Sequence, residues 1–215
     1  NAQAKRFILR VDAATGGARL TLPAHANLDD AIKFLNRNEG WFMRQQARLA
    51  PAIAFADGML LPLRDVPHGV AAAGGRAAQI WVEQHDDGPR LHIPGRPENL
   101  GRRLLAWLKA QARRDLKDAV TQHAQTLGVT PAGIAVRDQR SRWGSCSSSG
   151  NLSFSWRLIM APSDVLDYVA AHEVAHLREM NHGPMFWQLV NACTGKVDFA
   201  RAWLSRSGPG LHRFG

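Results

Sequence analysis

Cysteine is scarce. Only Cys146 and Cys193 occur in 215 residues, too few and too far apart for a disulfide framework. Long apolar runs are missing as well: none approaches the roughly 20 residues that a bilayer crossing needs, so no membrane partner is expected. The opening Asn1-Ala2-Gln3-Ala4-Lys5-Arg6 carries no apolar stretch of the length of a secretory signal. There is no internal repeat and no low-complexity tract, which argues against a solenoid or a disordered linker. These absences point to a cytoplasmic globular protein. Acidic residues are in short supply too, with 18 Asp and Glu against 27 Lys and Arg, a formal net charge of +9. Most of that excess lies in residues 96–215. A cationic surface favours anionic partners, nucleic acid among them, although many small proteins are simply basic. At 45% hydrophobic and 21% charged residues, the chain can bury the core of one large domain or two small ones.

Residues 7–11 (FILRV) and 18–22 (ARLTL), separated by Thr15-Gly16-Gly17, predict a hairpin. A helix follows from Leu28, with Asn27 as its N-cap, Asp29 and Asp30 in its first turn, and Gly40 as a point where it can break. Over residues 58–93 the short apolar runs LLPL, GVAAA, QIWVE and RLHI, broken by Gly, Pro and Asp, predict a small antiparallel sheet. Pro94-Gly95-Arg96-Pro97 is the strongest punctuation in the chain and sets the expected boundary. The expected organisation is thus a β-rich N-terminal unit over 1–95 and a second domain over 96–215. His25, His68, His85 and His92 are scattered through the first part and read as surface or turn histidines.

Past the boundary, Leu104, Trp107, Leu108, Ala112, Leu116, Val120, His123 and Leu127 share a stripe, and Gly128 stops the helix they define. Its other faces are basic, with Arg102, Arg103, Lys109, Arg113, Arg114 and Lys117. Residues 134–137 and 152–156 alternate like strands and predict a second small antiparallel sheet. A helix is expected from about residue 164 to about residue 180.

That helix contains His172-Glu173-Val174-Ala175-His176. Residues four apart on an α-helix differ by about 40° in direction and about 6 Å in height. His172 and His176 can therefore present imidazoles to one ion, with Glu173 beside it to take a proton from the attacking water. A catalytic zinc generally has a third protein ligand. Glu179 lies on the same face but would crowd the site, and His212 sits in a Gly/Pro-rich tail. His182 fits better, provided the helix ends before it. Asn181 tolerates the left-handed conformation, and Gly183-Pro184 cannot continue a helix. The six-residue step from His176 to His182 equals that of metzincins, but Glu179 replaces their glycine and no remote methionine can form their Met-turn. A three-imidazole set would take Zn2+, or Ni2+ or Co2+ in vitro. Arg142, on an expected edge strand, and Tyr168, one turn before His172, are candidate substrate-binding residues. Trp143, Trp156, Phe186 and Trp187 read as core.

Three segments, RSRWGSC (140–146), NLSFSWRLIMAP (151–162) and DYVAAHEVAHLREMNHGPMFW (167–187), resemble the YgjP-like metal-dependent hydrolases. These are relatives of the SprT-like and WLM metallopeptidases within the zincins. The resemblance implies an α+β protein with a zincin-like catalytic domain, His172, His176 and His182 as metal ligands and Glu173 as general base. The expected activity is zinc-dependent hydrolysis of peptide bonds in a peptide or protein substrate. Two rivals accompany it. One is a nucleic-acid-associated protease of SprT-like type; the other is a non-catalytic basic nucleic-acid-binding module with structural zinc.

Overall fold

Asn27 opens the first helix through its side chain, whose Oδ1 accepts from the Asp30 N–H at 2.7 Å and satisfies one of the orphan donors of a helix start. This helix, α1 (Leu28–Leu49), carries Asp29 and Asp30 in its first turn, where negative charge meets the positive end of the macrodipole. It runs unbroken through Gly40, the point where it could have broken. A Cβ there would sit 3.1 Å from Ser205 Oγ, so the glycine permits a close approach rather than a kink. The structure, a computed structural model, describes residues 4, 6–11, 17–24, 26–49, 51–74, 79–139 and 142–215. Thr15 and Gly16 of the expected turn, His25, Arg140 and Ser141 lie outside the described residues.

The chain divides into two compact units, residues 1–53 with 202–214, and residues 54–201 with Gly215. In the first, β1 (Ile8–Val11) pairs antiparallel with β2 (Ala18–Thr21), the hairpin expected. Phe7 stacks on Phe34 of α1 with ring centroids 5.1 Å apart. Ile53 forms a parallel bridge with Phe214, which ties the ends of the unit together.

The second unit begins with β3 (Leu60–Leu63), β4 (Val66–Ala73), β5 (Trp81–His85) and β6 (Gly88–Pro94), in the order β3-β4-β6-β5. The sheet is mixed, not antiparallel as expected: β4 and β6 run parallel, because the β5 hairpin returns the chain beside β4 in the same direction. Arg64 and Asp65 turn β3 into β4 at φ 50 and 67, the positive φ pair of a type I′ hairpin. Neither is glycine, and the strain is offset by bonding. Their N–H groups donate to Ile159 and Met160 carbonyls at 2.8 and 3.1 Å, and the Arg64 guanidinium grips Asp115 at 2.8 and 3.0 Å.

The boundary expected after residue 95 lies inside this unit. Pro94-Gly95 is a chain turn, with Gly95 at φ 113. Leu91 and Ile93 of β6 stay buried, packed with the helix that follows, α2 (Leu100–Leu127). That helix ends at Gly128 in the left-handed conformation, as expected. Its buried positions include Leu100, Leu104, Leu108, Ala112, Leu116, Val120 and Ala124. A four-residue step overshoots a 3.6-residue turn by about 40°, so the buried stripe winds around α2. The helix can therefore pack against β6 and later elements in turn.

The third sheet has the order β7-β9-β8, with β7 (Gly133–Arg137), β8 (Gly144–Cys146) and β9 (Asn151–Ser155). It too is mixed, since β7 and β9 are parallel while β8 and β9 form an antiparallel hairpin. The central β9 continues into a buried 3-10 turn, Trp156–Met160. There Arg157, fully buried, pairs with Asp138 and lies over the Trp156 ring. Next comes α3 (Ser163–Ala175), clamped to α2 where His123 donates to Asp167 at 2.7 Å. Then follow α4 (Pro184–Cys193), α5 (Val197–Arg206) and α6 (Gly208–Leu211). Among the described residues, no helix is long and apolar enough to cross a membrane.

Candidate metal centre

The helix expected to reach residue 180 stops at Ala175. Leu177 and Arg178 N–H groups bond three residues back, to Val174 and Ala175, each at 3.0 Å, which tightens the last turn. Glu179 holds the turn that follows. Its carbonyl accepts from His176 Nδ1 at 3.1 Å, and its carboxylate accepts from the Asn181 N–H at 2.8 Å. The tight turn, rather than a break at Asn181, brings His182 back toward the helix. Glu179 is thereby engaged in shaping the loop.

The result is a cluster of three imidazoles. One ring nitrogen each from His172, His176 and His182 lies within 4.8 Å of the other two, and the Nε2 atoms of His172 and His182 are 3.1 Å apart. Nitrogens held at about 2.0–2.1 Å from a tetrahedral zinc would be about 3.4 Å apart, so the rings need little adjustment. The bond from His176 Nδ1–H to a carbonyl fixes its tautomer and leaves Nε2 with a bare lone pair, the arrangement typical of a metal-ligating histidine. Burial and the neighbouring imidazoles push the His172 pKa down to about 4, and burial also lowers that of His176. Both rings are held neutral, the form that binds a cation. The donor set fits a divalent metal.

Phe186 of α4 forms the floor. Its ring centroid lies 4.8, 4.6 and 4.7 Å from those of His172, His176 and His182, and it is fully buried. Trp187 stands beside it, capped by the Arg201 guanidinium at 5.0 Å. Core packing, the role expected for these aromatics, here also limits how far the imidazoles can turn.

Glu173 is buried at 6% exposure, and that burial raises its pKa to about 7, with Arg142 acting in the opposite sense. Its carboxylate rests on β8: a Cβ on Gly144 would meet Glu173 Oε1 at 2.5 Å. In the sequence Gly144 is marked only by its place within RWGSC. Arg142 is exposed just before β8. Tyr168 is not an open cleft residue. It is 6% exposed, with its ring edge-on to His172 at 5.9 Å, and burial raises its pKa. Cys146 of β8 is half-buried and outside the imidazole cluster.

A site that can hold a divalent ion beside a buried proton acceptor is what a metal-dependent peptidase requires. The chain belongs to the YgjP-like family, whose metallopeptidase domain matches residues 5–207. Among solved structures it is similar to the metallopeptidase zymogen abylysin of Pyrococcus abyssi, with 17% identity and a TM-score of 0.39 over 43% of this chain and 95% of that one. No curated protein matches it.

Proposed function

We propose that this chain is a zinc-dependent peptidase in which His172, His176 and His182 hold the ion and Glu173 is the general base. The observation that carries the reading is the convergence of three imidazoles next to a carboxyl whose pKa burial raises to about 7. When bound, zinc supplies Lewis acidity that polarises a carbonyl and makes water acidic enough to lose a proton near neutral pH. Glu173 takes that proton and returns it to the leaving amine, and a pKa close to the working pH suits both transfers. Phe186 keeps solvent from the underside of the cluster. Arg142, exposed just before β8 and acting on the Glu173 carboxyl, supplies a guanidinium that can offset charge developing on the carbonyl oxygen. Tyr168 backs the His172 ring. An extended peptide adds to the edge strand β8 through main-chain pairing, which sets the scissile bond beside Glu173.

The test is an unbiased peptide library incubated with zinc-loaded protein. Cleavage at defined bonds, stopped by a chelator and restored by zinc, is expected. A library left intact by fully loaded protein would contradict the reading.

The nucleic-acid-associated variant of this function rests on a separate observation: Arg102, Arg113, Arg114 and Lys117 of α2 are all exposed. A purely structural zinc is disfavoured by the ligand set, which has no thiolate.

A further inference from the structure

Strand alternation places Trp81, Glu83 and His85 on one face of β5. The antiparallel register sets His92 of β6 opposite Trp81, and therefore diagonal to Glu83. Diagonal neighbours are within reach of long side chains. Glu83 uses that reach: its Oε2 lies 3.1 Å from His92 Nε2 and 3.8 Å from His85 Nε2. The three ligand atoms all fall within 4.8 Å of one another. Both ring nitrogens are shut off from solvent, yet neither has a hydrogen-bond partner. Buried nitrogens in ion-pair range of a carboxylate oxygen but without a hydrogen bond are poorly satisfied as they stand. A cation between them would satisfy all three.

Other contacts preorganise the group. Trp81 stacks flat on His92, with centroids 4.9 Å apart and planes 9° from parallel, which fixes that ring. Arg90, paired with Glu83 in the register, is drawn instead to Asp87 at 2.6 Å, so the Glu83 carboxylate stays with the histidines. For metal–ligand bonds of about 2.0–2.2 Å, tetrahedral ligand atoms are about 3.3–3.6 Å apart. The observed 3.1 and 3.8 Å bracket that range. Two imidazoles and a carboxylate suit zinc and its first-row neighbours, not calcium or magnesium, which prefer all-oxygen shells.

We propose that Glu83, His85 and His92 form a second metal site, for a divalent transition ion such as zinc, that clips the edge strand β5 to β6. The site belongs to the first sheet of its unit and shares no residue with the His172 cluster.

The experiment is a zinc titration of the full chain, read by elemental analysis after desalting and by NMR of the histidine ring nitrogens. Wild type should retain two zinc ions per chain. The Glu83→Gln/His85→Asn pair, at partly exposed positions, should retain one, and so should His176→Ala. The second equivalent should shift the ring resonances of His85 and His92, a signature that needs no variant to fold. Should the Glu83→Gln/His85→Asn pair hold as much zinc as wild type, or should saturating zinc leave both rings unshifted, the site is a plain ion pair and the proposal is wrong. The His176→Ala arm reports the other centre separately, so either site can fail without the other.

Discussion

The carboxylate of Glu173 rests on Gly144 with no room for another carbon between them. At that position a methyl group would overlap Oε1, Cγ and Cδ at 2.5, 2.7 and 2.8 Å, far inside van der Waals contact. Either β8 or the carboxylate must move. Gly144→Ala is therefore expected to leave the metal bound while displacing the base, and a displacement near 1 Å can cost about 100-fold in rate. Parallel measurements of metal content and peptide cleavage check this, and wild-type turnover in the variant would show that Gly144 does not position Glu173. That the rings of His172 and His176 lie together was legible, because helical spacing alone brings such residues onto one side. Gly144 was not, since the crowding that demands glycine comes from a residue 29 positions later. The pairing of His85 with His92 was hidden in the same way. Each reads as an isolated surface histidine until the hairpin brings their rings to 5.9 Å apart, with Glu83 in reach of both.

At the scale of elements, the turn after α3 decides whether His182 reaches the site. Leu177, Arg178, Glu179 and Met180 are all good helix formers, and for that reason the expected helix ran too far. What ends it is the pair of bonds made by Glu179, to the His176 ring and to the Asn181 N–H. Side-chain chemistry of this kind overrides propensity and leaves no mark on periodicity. Strand direction behaves likewise. Short apolar runs locate β3 to β6, and alternation locates β7 and β9, but the parallel pairs β4–β6 and β7–β9 follow from how the connections run. Because His176 and His182 sit in or beside this turn, outside regular helix, metal should hold it more firmly than it holds α3. Chelation is expected to speed amide hydrogen exchange in residues 176–183 and to leave the buried body of α3 unchanged. Equal protection of the turn with and without metal would mean that His182 is not a ligand.

At the scale of the whole chain, the excess of positive charge, +9 overall, is the feature whose use is most open to experiment. Composition announced it, and the winding of the buried stripe around α2 determines which cations end up outside. Arg102, Arg113, Arg114 and Lys117 do. If they form a nucleic-acid surface, binding should be tolerant of sequence and strongly salt-dependent, with each phosphate neutralised adding about 0.9 to the slope of log affinity against log salt. Micromolar affinity for duplex DNA near physiological salt, weaker and with a shallower slope in an Arg113/Arg114→Gln variant, is the outcome expected of a nucleic-acid-associated peptidase. Binding that vanishes by about 0.1 M salt, or that ignores the substitutions, would assign the charge to solubility alone. The division into units was the least legible feature. Proline and glycine at 94–97 mark a turn as readily as a domain limit, and nothing local announces that residues 202–214 join residues 1–53.

In the proposed mechanism metal and base are separate contributions of neighbouring side chains, and one comparison addresses that directly. Glu173→Gln keeps the size and shape of the buried side chain but removes its basicity. Metal content and turnover, measured on the same preparations of wild type and variant, should part company. The ion should be retained in full while cleavage falls by about 100-fold or more, the scale of a lost general base. A variant that keeps its metal and cleaves as fast as wild type would contradict the assignment of Glu173, and with it the proposed mechanism.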